Sequence, residues 1–393
     1  MPRRASVIVA QTTGLAQFNG AGAQWLIQTP GGVVYLVYVD TGSDVAFKKS
    51  TNYGLTWSNP TVVFAGTTTA VAVWYDRWSD IAAGLIHIAY QESATDDTLY
   101  RTINTESSDA LSTQTVIFAG TSTATGGCLA ITRARGGNVY CATMIDAGAE
   151  GGFYRLPNAN VPSGAWDAAR ATVFEAITGD MVLLFPGFAA DNQDIIAIFW
   201  DASANEISRK VYDDSGNSWG ETSISTGMAD QVATTAFPHF DGFVDIANSQ
   251  IVLVAWNGVD TASADLLGWT VTESAITAFT TPVVSNGTDD QGLCAITTDL
   301  ATGDWYCFYG GKSDGSETFL TSINIYYKVS QDDGATWGPE TQLTYTARDT
   351  TWLIATPRWN THFTVAFHND IALDELMVSA PIAQPRANFV LGL

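Results

Sequence analysis

The chain has 393 residues, with 40 Asp and Glu against 17 Lys and Arg, a formal net charge of −23. Only 15% of residues are charged and 46% are hydrophobic. That balance excludes an intrinsically disordered chain and leaves too few bases for phosphate-driven binding of nucleic acid. No apolar run of about 18 residues occurs, so no membrane-spanning helix is expected.

In chain order, the first predicted element is a strand at Ser6–Thr12. Arg3 and Arg4 precede it, but its apolar stretch, Val7 to Ala10, is too short for a secretion-signal core, so no cleaved leader is expected. The same kind of phrase returns as TVVFAGTT from Thr61, TVIFAGTS from Thr115 and TVFEAITG from Thr172. Weaker copies begin at Thr222, Thr281 and Thr341. The spacing, about 50–60 residues, is that of propeller and solenoid repeats. A second phrase, rich in aromatic and β-branched residues, keeps the same phase: VVYLVYVD from Val33, LIHIAYQE from Leu85, NVYCATMID from Asn138 and DIIAIFWD from Asp194. It continues as QIVLVAWN from Gln250, DWYCFYGG from Asp304 and FTVAFHND from Phe363. A third phrase precedes it: SDIA at Ser79, VDIA at Val244 and TDLA at Thr298.

Each unit thus holds about four short strands separated by Gly, Asn, Asp and Ser, with no helical period. The expected fold is all-β: a seven-bladed β-propeller of four-stranded antiparallel blades, one domain over residues 1–380 with an apolar tail, 381–393. The last unit supplies strands from Trp352, Phe363 and Glu375 but no fourth. The orphan strand Ser6–Thr12 is expected to complete it, beside residues 375–382, and so close the ring.

The turns between third and fourth strands carry a further pattern. Ser330, Asp332, Gly334, Thr336 and Trp337 fill every fixed position of S-x-D-x-G-x-T-W. Ser50, Gly54, Thr56 and Trp57 repeat it with Asn52 in place of Asp. Asp213 to Trp219, with Gly216, and Ser163 to Trp166 are degraded copies. This resembles the Asp-box (BNR) repeat of sialidase-like β-propellers. The resemblance implies a structural role: a short polar cap, a Gly in an unusual backbone angle and a Trp packed between sheets.

The sialidases of that family hold a substrate carboxylate with three arginines, beside a Tyr–Glu pair and an Asp. In an up-and-down blade the 2→3 and 4→1 loops share one face, and the 1→2 and 3→4 turns share the other. Sorted this way, more than half of the acids fall on the first face, with only Arg77, Lys312 and Arg348 against them. A sialate carboxylate would be repelled there. Tyr154-Arg155-Leu156-Pro157 looks like the family's Arg-Ile-Pro phrase but sits in a third strand rather than an opening one, so the catalytic role does not carry over. Acids are too numerous in the loops for any carboxylate pair to single itself out. The chain reads as leaning away from an enzyme.

One cluster has the composition of a sugar site. Tyr75, Asp76 and Arg77 lie between Trp74 and Trp78, in what reads as a blade-entry loop; rings stack on a sugar while Asp and Arg bind hydroxyls. Arg348 is the second arginine of that face. Asp180, Asp230, Asp289, Asp290 and Asp349, at the expected channel mouth, are candidate Ca²⁺ ligands, though none has the spacing of a dedicated loop. Cys128 with Cys141 and Cys294 with Cys307 each span one hairpin, either as buried thiols or as disulfides. No other cofactor is implied.

These features point to a non-enzymatic structural or binding propeller at an extracellular or virion surface, such as a phage decoration, fibre or receptor-binding protein. Its partners are other protein subunits, met through the less charged face or the C-terminal tail, or a surface glycan. The alternative is a sialidase-like glycoside hydrolase or a carbohydrate-binding lectin.

Overall fold

Second strands such as Val34–Val39 and Ile195–Asp201 are apolar at nearly every position, so both of their faces need cover. Fourth strands alternate instead: in Thr61–Phe64 and Thr115–Phe118 only the third residue is buried. Inner strands are therefore sandwiched between neighbouring sheets, while the outermost strand faces water on one side.

The structure is a computed structural model. It describes residues 7–11, 25–75, 84–120, 129–144, 151–171, 181–190, 192–201, 204–228, 240–258, 264–285, 293–314, 316–317, 324–344, 350–359, 362–369, 375–378 and 382–383. They form an all-β propeller of antiparallel blades. One sheet is Leu26–Gln28, Val34–Val39, Val45–Ser50 and Thr61–Phe64. The next is Thr68–Tyr75, Leu85–Glu92, Thr98–Asn104 and Thr115–Phe118, with Ala110–Leu111 beside the third strand. Leu129–Arg133, Val139–Met144 and Gly151–Leu156 follow. Then come Met181–Pro186, Ile195–Asp201, Glu206–Asp213 and Ser218–Thr226. After them stand Phe240–Asp245, Gln250–Trp256 and Asp265–Val271, edged by Ile276–Ala278 and Val284–Ser285. Cys294–Asp299, Trp305–Gly310, Ile325–Ser330 and Thr341–Gln342 form another, with Arg358–Trp359 added in parallel to its first strand. The last combines Thr350–Ala355, Val365–Asn369 and Glu375–Val378 with Val7–Gln11.

Six of these sheets reach four strands or more. The seven four-stranded blades expected from the repeats are therefore corrected to six. Residues 129–156 give three strands, with a single bridge, Phe153 to Arg170, on the outer side. The backbone N–H groups of Asp167 and Arg170 donate to the Arg155 and Phe153 carbonyls there. The fourth strand expected from Thr172 lies outside the described residues.

Closure occurs where the orphan strand was expected. Val7–Gln11 runs antiparallel to Glu375–Val378, from Val7 opposite Val378 to Gln11 opposite Glu375. Of the tail, Ile382–Ala383 turns back onto His362–Phe363; the remainder lies outside the described residues.

The repeated Phe-Ala-Gly of the fourth strands has a local cause. Asp44 and Asp97, in 2→3 loops, accept the N–H of Gly66 and Gly120 at 2.9 and 3.0 Å. The loop passes so close that a Cβ on Gly120 would lie 1.9 Å from the Asp96 carbonyl oxygen. Gly220 has open space around it. Gly120→Ala is expected to lower the urea-unfolding free energy by about 3 kcal/mol, the scale of severe overpacking, while Gly220→Ala leaves the midpoint nearly unchanged.

Candidate functional site

Strand order decides which face each loop serves. Thr68–Tyr75 is a first strand and Leu85–Glu92 a second, so residues 76–84 form a 1→2 connection. Trp74 and Tyr75 therefore lie inside a first strand and not in the blade-entry loop expected for the cluster. In the chain Arg348 precedes the first strand Thr350–Ala355.

Trp74 and Tyr75 are 4% and 9% exposed and pack into different core clusters. Trp74 stands opposite His87, whose Nδ1 lies 2.7 Å from the Tyr100 hydroxyl. Burial, with Arg133 adding to it, pushes His87 down to about 3 and keeps it neutral. Asp76, Arg77 and Arg348 lie outside the described residues, as do Asp180, Asp230, Asp289, Asp290 and Asp349. Among the described residues no group of His, Cys, Asp and Glu is arranged to hold a metal ion.

The two best-matching turns share one hydrogen-bond pattern. Ser50 Oγ accepts the Gly54 N–H at 2.8 Å, and Asn52 Oδ1 accepts the Thr56 N–H at 2.9 Å. Ser330 Oγ accepts the Gly334 N–H at 2.8 Å, and Asp332 Oδ1 accepts the Thr336 N–H at 2.8 Å. Tyr53-Gly54 and Asp333-Gly334 both have positive φ, which the serine cap holds in place. The Thr336 hydroxyl, which donates to Asp332 Oδ2 at 2.6 Å, and the Thr336 N–H hold the Asp332 carboxyl below its usual range. In the degraded copy Asp213 takes over the cap, accepting the Gly216 N–H at 3.0 Å. The tryptophans reach the neighbouring unit: Trp166 Nε1 donates to Thr115 Oγ1 and Trp219 Nε1 to the Ala171 carbonyl. Trp337 packs on Phe279, 6.0 Å between ring centres.

The scarce bases are consumed between sheets. Arg101 donates to the Val63 carbonyl and Lys328 to the Val283 carbonyl, equivalent positions of the repeat. Lys49 and the Tyr35 hydroxyl meet Asp109 in the next sheet's 3→4 turn. Arg155 and the Tyr140 hydroxyl meet Asp214 in the same way, with Arg170 joining from outside. Arg155 also donates to Asp167 at 2.6 Å. It is a partly buried tie in the third strand Gly151–Leu156. Periodicity does not reveal these pairs; the signal is a Tyr and a base at paired positions of second and third strands.

Asp241, sorted from sequence into a 4→1 loop, lies inside the first strand Phe240–Asp245. Its Oδ2 accepts the Ile296 N–H of the next sheet at 2.8 Å. Desolvation pushes its carboxyl up to about 7 against these backbone donors. Cys294 and Cys307 lie near it as buried thiols, and burial raises both. They are not directly opposed: Cys294 faces Tyr309 and Cys307 faces Ile296. Cys141, also a buried thiol, faces Ile131; Cys128 lies outside the described residues.

No protein-family model matches the chain, and no curated protein matches it in sequence. Among solved structures it is similar to an ulvan lyase of a new polysaccharide lyase family, PL25, bound to -[GlcA(1-4)Rha3S]-. That match has a TM-score of 0.60 at 11% identity and covers 97% of this chain and 96% of the other. It is also similar to AofleA from Arthrobotrys oligospora, with a TM-score of 0.51 at 9% identity over 94% of each chain. The Hadza microbial sialidase Hz136 aligns at 0.48 and 11% identity, over 97% of this chain and 69% of its own. At these identities the likeness is one of fold.

Asp241 yields a pH-dependent prediction. Its folded-state value of about 7 exceeds that of an unfolded aspartate, about 3.9. The unfolded chain therefore ionises first, and stability is lost as pH rises through this window. Asp241→Asn keeps an acceptor for Ile296 and stays neutral. Its thermal midpoint is expected to exceed the parent's at pH 8, by less at pH 5, and to converge on it only towards pH 4. Parallel profiles would refute the assignment.

Proposed function

We propose that this protein is a carbohydrate-binding β-propeller whose ligand sits on the face of the 2→3 and 4→1 loops. The observation that carries the reading is the end-to-end match of fold with the saccharide-bound ulvan lyase. The expected virion role gains no support from any comparison. The serine- and aspartate-capped turns belong, in this reading, to Asp-box repeats, which lie away from the ligand and brace the blades.

The charge pattern favours a class of sugar. The 2→3 loops present Asp40, Asp44, Asp96, Asp97, Asp201 and Glu206, while bases are spent between sheets. Lys312, the described base on this face, already pairs with Asp314. A uronate or sulfated sugar meets repulsion; a neutral or amino sugar does not. This separates the ligand from the anionic saccharide of the ulvan lyase, and it leaves lyase activity on such a substrate unexpected.

A glycan array tests this directly. Neutral or amino glycans are expected to bind, and sialylated, uronic and sulfated ones to fail. Arg348→Ala, in the chain between a fourth and a first strand, is expected to weaken binding about tenfold by removing a donor to sugar hydroxyls, whereas Arg77→Ala, between a first and a second strand, is expected to leave it unchanged. Binding confined to anionic glycans, or the reverse response of the two variants, would overturn the placement; no binding to any glycan would overturn the function.

A further inference from the structure

Asp245 and Asp299 end equivalent first strands and hold the turns that follow. Asp245 Oδ1 accepts the Ala247 N–H at 3.1 Å, and Oδ2 accepts Asn248 Nδ2 at 2.7 Å. Asp299 Oδ1 accepts the Ala301 N–H at 2.8 Å, and Oδ2 accepts the Thr302 hydroxyl at 3.2 Å. Each capped turn turns out the next residue, Ile246 or Leu300, which are 37% and 46% exposed. A large aliphatic side chain in such a place is not required by the core. Between the two lies a groove of about 390 Å³ that reaches down to Trp305 and is rimmed by Asp333. Its lining holds three carboxylates and no Lys, Arg or His.

We infer that this groove is a docking site for a Lys or Arg side chain of a basic partner protein. Ile246 and Leu300 flank the alkyl stem, and Asp333 meets the cationic head at the rim. The groove is apolar along its walls and negative at its mouth, a combination that suits an amphipathic cation and repels an anion. Burial raises the Asp299 carboxyl and Asp304 adds to it, so a cation entering here relieves an existing repulsion. A second copy of the chain is a poor occupant, because its net charge of −23 repels its like. The site lies on the 1→2 side, apart from the proposed glycan face, and does not depend on that reading.

The full chain is titrated into short fluorescent peptides of alternating Leu and Lys, Leu and Glu, and Ser and Lys, with anisotropy as readout. The Leu–Lys peptide is expected to bind, and more tightly than the other two. Ile246→Ser with Leu300→Ser is expected to weaken it about tenfold, the scale of losing two apolar anchors, without lowering the melting temperature. Asp333→Asn is tolerated at the positive φ of that residue and is expected to flatten the salt dependence. Ala247→Arg fills the groove from within and is expected to abolish binding even if the double variant proves unstable. Glu106→Gln, an exposed acid of another turn, is the control and leaves binding unchanged. Equal binding of the Ser–Lys and Leu–Lys peptides would reduce the effect to bulk charge and overturn the proposal. Parent-like binding by Ala247→Arg would overturn it as well.

Discussion

Second strands such as Val34–Val39 and Trp305–Gly310 are buried at every position, so no sheet can stand last in a row. A terminal sheet would leave one face of strands such as Val34–Val39 or Trp305–Gly310 in water. The chain meets this constraint by pairing Val7–Gln11 with Glu375–Val378, joining sequence ends to complete one sheet. Once the first and last units share a sheet, the remaining sheets cover one another, and Trp25, Trp200, Trp256 and Trp305 become fully buried between them. The free energy of burial is thus collected between units as much as within them.

Packing so many two-sided sheets leaves polar atoms at each junction, and the basic residues serve there. Arg101 and Lys328 satisfy carbonyls of neighbouring fourth-strand segments, while Lys49 and Arg155 pair with acids in neighbouring turns. Bonds of this kind are modest individually, but leaving a partner buried and unpaired is costly. Their use inside the ring bears on the surface: among the described residues these bases are occupied between sheets, and the acids of the loops are left without them. The net charge of −23 is set by composition, 17 bases against 40 acids; the placement of those bases decides where the negative charge is left uncompensated.

The two ends of the blades therefore have different chemistry. The 2→3 loops fold on their own acids, with Asp44 and Asp97 clipping the glycines that end the fourth strands. The other end carries the serine-capped turns and the aspartate-capped turns that expose Ile246 and Leu300. Rigid caps at both ends let short loops keep defined shapes without much core of their own. Binding surfaces are then available at either end, set by loop residues rather than by the fold.

The repeats, their phase and the closing strand were legible because burial on both faces writes long apolar runs, and each run recurs at a constant spacing. Ring closure was legible because the last unit visibly lacked a strand that the first residues supplied. That Trp74 and Tyr75 lie inside a first strand was not legible. Thr61–Phe64 and Thr68–Tyr75 are separated by only a short Ala-Gly-Thr link, so the fourth strand of one sheet and the first of the next read as one phrase, and the boundary moved. Cys294 and Cys307 looked like cross-strand neighbours because spacing measures distance along a hairpin, whereas the ladder sets them two residues out of register. The groove between Ile246 and Leu300 combines turns far apart in sequence. Sequence by itself determined the all-β repeat and the strand that closes it, since local pattern and burial dictate both, but it set seven four-stranded blades where the described residues give six. Only the tertiary structure decided which loops share a face and which acids stand beside which thiols, because those depend on strand direction and register between units, which no local pattern records.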